Sequence, residues 1–173
     1  MKSTFKYGII TGIIVGIFAI AFFSIVNGLN TSNGWGMQPA NIRGFSGLLT
    51  ILIQATGIYA AIQATKKLQN NKLTYRQALK TGLLVAVLTA VITACFSFVY
   101  CQFINPGYAQ YMLAEAQKAM VAGGETKQQI IEHSKGVSRE FSTGAQVGMA
   151  LVGQFVVGTV VSLIMGLFIK TKK

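Results

Sequence analysis

The chain has no aspartate, and its four acids are Glu115, Glu125, Glu132 and Glu140, all in one segment between apolar runs. It has one histidine, two cysteines and two prolines, and charged residues make up 11% of it. A soluble domain carries about a quarter. Each shortage excludes something. Without an acid, base or nucleophile beside a supporting partner, acid–base and covalent catalysis have no candidates. Position 129 is Gln and 137 is Val, so His133 has no ligand partner at helical spacing, and a lone loop histidine is a poor metal site. No glycine-rich phosphate loop and no Ser-His-Asp set is present. No enzyme activity, cofactor or metal is expected. Cys95 and Cys101 lie about 9 Å apart along a helix axis, beyond the ~7 Å that a disulfide spans, and read as small packing residues.

What is abundant is apolar, 52% of the 173 residues, and cationic, with a net charge of +11. The cations flank apolar runs without aromatic interleaving, which argues against nucleic acid. Four uncharged runs are long enough for the ~30 Å hydrocarbon core: residues 7–29, 44–64, 81–103 and 143–169. The first ends in Asn27-Gly28-Leu29-Asn30, which is no signal-peptidase site, so an uncleaved first span is expected. Residues 30–43 are rich in turn formers and include Trp35, a residue suited to a membrane interface.

The segment 66–80 carries Lys66, Lys67, Lys72, Arg76 and Lys80 and no acid. Basic loops are retained on the cytoplasmic side. Four spans put both termini on that side as well, with Lys2, Lys6, Lys170, Lys172 and Lys173. The other side holds Arg43, Lys118, Lys127, Lys135 and Arg139 against all four glutamates. The expectation is an all-α integral membrane four-helix bundle, one domain over 1–173, with cytoplasmic N- and C-termini. Its partner is a lipid bilayer of a bacterial inner membrane, with anionic lipid near the basic loop. The sequence also admits a homo-oligomer or a membrane-protein partner.

Between spans 3 and 4, residues 104–142 form the one long polar segment. Tyr108, Tyr111, Met112, Ala116, Ala119 and Met120 recur at helical spacing, so 108–121 reads as an amphipathic helix. Thr126 with Gln129 reads as a capping box opening a second short helix, which Gly136 is expected to end.

Inside a bilayer, helices associate through close packing over small residues. The first span carries Gly8, Gly12 and Gly16, the third Gly82, Ala86, Ala90 and Ala94, and the fourth Gly158, Ser162 and Gly166. The second carries Gly57, Ala60, Ala61 and Ala64. Most of these lie toward the cytoplasmic half, while bulky residues such as Phe18, Phe22, Phe96 and Phe103 crowd the outer half. This predicts a bundle tight inside and looser outside. Gln54 and Gln154 are candidate intramembrane polar contacts at one depth. They read as an interhelix hydrogen bond or, more sharply, as a polar constriction on a solute path. Thr89, Thr93 and Ser97 share a face of span 3 and can bond to preceding carbonyls.

The motifs YGIITG (7–12), GIYAA (57–61), LTYRQALKTGLL (73–84) and FSFVYCQFINPGY (96–108) occur in this order before a closing glycine-rich span. In this order the chain resembles a family of small bacterial membrane proteins known as a domain of unknown function. The resemblance implies four transmembrane helices and a bacterial cell membrane, and brings no catalytic residue, cofactor or substrate. The functional expectation is therefore a non-catalytic scaffold or accessory membrane protein, with a passive channel or small-solute transporter subunit as the alternative.

Overall fold

A computed structural model of the chain describes residues 2–33 and 39–169, with side chains for 3–25 and 44–169. The elements are α1 (Lys2–Asn33), α2 (Pro39–Leu68), α3 (Tyr75–Val99), a π-helical turn (Tyr100–Ile104), α4 (Tyr108–Ala122), α5 (Lys127–Glu140) and α6 (Thr143–Ile169). No strand occurs among the described residues. Helices α1, α2, α3 and α6 each contain a stretch long and apolar enough to cross a membrane. Helix α3 packs against α6, α1 and α2, and α2 also touches α1 and α6.

The helices overrun the lengths expected of them. The turn-rich reading of 30–43 is too broad, because α1 continues to Asn33 and α2 resumes at Pro39. Proline at a first helical position loses nothing, since its missing N–H would have no intrahelical partner there. Trp35 lies outside the described residues. The basic segment is also mostly helical, in its second half as the sequence predicts, since 74–80 reads as the start of a helix that continues into the third span and α3 opens at Tyr75. Lys66 and Lys67 sit on the last turn of α2, where cations oppose the negative helix end, and Arg76 and Lys80 sit on the first turns of α3. Only 69–74 leaves the helix. There Asn70 and Asn71 take φ of 51° and 61°, a left-handed conformation that asparagine tolerates better than most residues. Thr74 then caps α3 in a reciprocal box with Gln77.

Two buried clusters mark the two ends of the packed helices. At the basic end, Ile58, Ala61, Ile62, Leu73, Ala78, Val85 and Ile169 close together. Lys66 Nζ donates to the Ile169 carbonyl at 3.1 Å, satisfying one of the orphan oxygens that end α6. At the far end, Tyr100, Cys101, Tyr108, Met112 and Phe141 form the second cluster.

Helix α4 begins at Tyr108 as its periodicity predicts, after Asn105-Pro106-Gly107. Helix α5 opens on the Thr126–Gln129 capping box. It does not stop at Gly136 but runs to Glu140. Nothing lies within 4 Å of a Cβ built on Gly136, and a mid-helix glycine costs only about 1 kcal/mol. Its neighbours on both sides are helix-compatible, so the helix continues.

Candidate functional site

The seam between α3 and α6 is built from small residues meeting in antiparallel register. A Cβ on Gly166 would lie 3.1 Å from Tyr75 and 3.8 Å from Ala78. One on Gly82 would collide with Ser162, and one on Gly158 would come within 2.5 Å of the Ala86 side chain. Ser162 is fully buried, and its hydroxyl donates to the Gly158 carbonyl at 2.6 Å. Continued one step further, this register sets Ala90, which is 1% exposed, level with Gln154.

The glycines of α1 do different work. They are holes for large side chains of α3 running in the same direction. A Cβ on Gly8 would come within 2.6 Å of Leu88, and one on Gly12 within 2.8 Å of Ile92. Gly16 receives the ring of Phe96 in the same way. Across the α1–α2 contact, Gly57 gives its space to Thr11.

Gln54 has no exposed surface. Its Nε2 donates to the backbone carbonyl of Gln154 at 3.0 Å. The two side chains do not bond to each other, and the Oε1 atom of each is buried without a partner. At the same level Thr89 is fully buried with an unpartnered hydroxyl, contrary to the expectation that it bonds back to its own helix. Thr93 does bond back, to the Thr89 carbonyl at 2.8 Å and the Ala90 carbonyl at 3.1 Å.

Above this layer the helices part around a cavity of about 360 Å³. Val15, which is 1% exposed, and Gln154 lie at its deep end; Phe23, Tyr100, Tyr108 and Gln146 lie near the far one. The cavity falls within the ~300–1,000 Å³ typical of ligand pockets. Its far end is crossed by a chain of ring contacts. Phe23 meets Tyr100 at 6.3 Å between centroids, Tyr100 meets Tyr108 at 5.9 Å, and Tyr108 meets Phe141 at 6.0 Å. Tyr108 brings α4 into the wall, and Phe141 follows α5 directly, so the polar segment between α3 and α6 supplies part of the roof.

The π-helical turn positions that roof. In it the Asn105 N–H reaches back to the Tyr100 carbonyl at 2.7 Å, and Asn105 Nδ2 donates to the Tyr100 hydroxyl at 3.1 Å. The wider turn re-aims Tyr100 and Cys101, both buried and both lining the cavity. Single π turns recur at functional sites. Apolar periodicity carries no signal for this turn. The Asn-Pro stop is the one sequence mark near it.

His133 is exposed on α5, and its Nδ1 lies 2.9 Å from Glu125 Oε2. This pairing across the start of α5 was not visible from spacing. Lys118 bonds Glu115 at 2.7 Å, and that carboxylate raises the Lys118 pKa above its ordinary value. Both cysteines are free, Cys95 exposed and Cys101 buried. Among the described residues no group of His, Cys, Asp or Glu is placed to hold a metal ion.

A model of the family described as "Protein of unknown function (DUF4199)" matches residues 6–171. The chain belongs to that family. No curated protein and no solved structure matches it.

Proposed function

We propose that this member of the DUF4199 family is a multi-pass, non-catalytic protein of a bacterial inner membrane. It is a scaffold or accessory component whose outward-facing pocket receives a ligand. The four long helices are read as a transmembrane bundle with both termini and the 69–74 loop in the cytoplasm. The charge distribution supports that orientation, because ten cations and no acid flank the helices on the basic side.

The observation that carries the reading is the contrast between the two halves. The far half surrounds a cavity. Beneath it, Gln54, Ile58, Thr89, Val85 and Ala86 have no exposed surface, and along the α3–α6 seam the glycines bring the two backbones into close approach. A pocket closed at one end suits binding better than passage through the single chain. The runner-up, a passive channel or small-solute transporter subunit, takes the same cavity as its vestibule and needs a second chain or a second state to complete the path.

Reconstituted vesicles separate the two. The expected result is no flux of potassium, glycerol or sucrose above that of empty vesicles, while reporter fusions place residue 70 in the cytoplasm and residue 125 outside. Solute flux that scales with protein content overturns the accessory reading, and reporters at 70 and 125 in one compartment overturn the topology.

A further inference from the structure

Three of the helix seams around the cavity are filled by side chains. Phe22 of α1 meets Phe45 of α2 at 6.3 Å between ring centroids. Gly16 holds the ring of Phe96, and Phe23 meets Tyr100, which shuts α1 against α3. Along α3–α6 the small-residue register carries on to Ala94, which is buried, level with Ala150. Between α2 and α6 the Gln54–Gln154 bond closes the deep end, but above it both rims are open. Of all the residues that line the cavity, only Gly47 on α2 and Met149 on α6 are exposed. A Cβ built on Gly47 meets nothing within 4 Å. Counted outward from Gln54 and Gln154, the two rims stand at nearly one level.

That level is hydrocarbon, not water. Gly47 is about 5 Å and Met149 about 9 Å along the axis from the outer ends of their spans, inside a leaflet of about 15 Å. Beside the rims, Leu48 and Leu52 on α2 and Val152 on α6 are each at least 60% exposed, an apolar surface of the kind that lipid covers. From this we propose that the cavity takes one acyl chain of an outer-leaflet lipid, which enters sideways between α2 and α6 while its headgroup stays at the membrane surface. The inference rests on the helices being transmembrane and on the cavity being a binding site, and it adds the occupant and its route. No lining residue carries a charge at neutral pH, so a phosphate or ammonium drawn inside would find no counter-ion, at prohibitive cost. Thr50, Thr93 and Gln146 spend side-chain protons on backbone carbonyls, so an apolar chain strands none of these. Ser97 and the Gln154 amide stay polar, a minority of a wall that is mostly aliphatic and aromatic.

The test uses the full chain in lipid nanodiscs doped with phosphatidylethanolamine that carries a diazirine midway along one acyl chain, and mass spectrometry to locate the adducts. A membrane-impermeant sugar diazirine, used separately, is the water-borne probe. Leu52 and Val156 should take the lipid label as any lipid-facing surface does. The expected additional adducts fall on Tyr100 or Tyr108, which line the cavity and are buried. In Gly47→Trp and in Met149→Trp, which crowd the rims, this interior label should fall about tenfold relative to that on Leu52, the ratio that ~1.4 kcal/mol of crowding provides. Interior label undiminished in both variants overturns the α2–α6 route. Lipid label on Leu52 and Val156 without interior adducts overturns the acyl-chain occupant. If the sugar probe then marks Tyr100 or Tyr108, the pocket stands as a site open to water, and if it does not, the pocket reading falls too. No lipid label on Leu52 or Val156 overturns the transmembrane reading itself. The comparison of the two probes needs no variant, so it decides even if neither tryptophan variant folds.

Discussion

Gly158→Leu should be among the most damaging single substitutions in this protein, while Gly148→Leu, on the same helix, should cost little. At position 158 a new Cβ alone would sit 2.5 Å from the Ala86 side chain, 2.6 Å from Gln54 Nε2 and 3.2 Å from the Ala86 backbone. Backbone cannot yield as a flexible side chain can, so α3 and α6 must separate. Overpacking a dense core costs about 1–3 kcal/mol, and a leucine against two fixed partners belongs at the top of that range. In a bilayer no hydrophobic gain offsets the loss, because lipid is as apolar as the partner helix. At Gly148 nothing lies within 4 Å of the added Cβ. Leucine there gains helix propensity, up to about 1 kcal/mol over glycine, and should leave stability unchanged or slightly higher. Unfolding in mixed micelles followed by circular dichroism measures both. Equal losses at the two positions would mean that the α3–α6 seam is not what holds the helices together.

These two glycines also show how far the sequence could be read. Small residues at four-residue steps marked Gly158, Ser162 and Gly166 as a packing face, and Gly8, Gly12 and Gly16 as another, because the helical repeat puts them in line. The repeat does not say what fills each line. On α6 the stripe meets a matching small stripe, whereas on α1 it receives Leu88, Ile92 and Phe96. Gly144, Gly148 and Gly153 meet nothing at all. Which of these outcomes a stripe has depends on the rotation of the neighbouring helix, a tertiary quantity that no local pattern encodes.

The candidate site was legible only in outline. Bulky residues in the outer half pointed to looser packing there, and counting from the span ends put Gln54 and Gln154 at one depth. The cavity itself depends on how far the helices splay, and on a five-residue π turn that breaks the 3.6-residue repeat at Tyr100. Apolar counting carries through such a turn without registering it. Rotamers were equally hidden. Gln54 turned to the backbone of Gln154 rather than to its side chain, and His133 reached Glu125 across a helix start.

The Gln54 contact invites a decisive comparison, because its polar and steric roles predict opposite outcomes. Gln54→Ala deletes a side chain with no exposed surface and leaves a void between α2, α3 and α6. Large-to-small changes of this kind cost about 2–5 kcal/mol. Gln54→Leu nearly keeps the volume and removes the amide. It loses one interhelix hydrogen bond, worth about 0.6 kcal/mol on average inside a membrane. It also removes the unpartnered Oε1, whose burial costs about 1–3 kcal/mol. The carbonyl of Gln154 is not orphaned, since it lies inside α6 and keeps the ladder bond of its own helix. Gln54→Leu should therefore unfold within about 1 kcal/mol of the unmodified chain, or later, while Gln54→Ala falls by 2 kcal/mol or more. Thr89→Val, which removes an unpartnered hydroxyl at the same level, should behave like the leucine variant. If Gln54→Leu instead loses as much as Gln54→Ala, the amide is bonding through Oε1 to something that the single chain does not supply, and a bound donor or a second subunit at this depth becomes the required explanation.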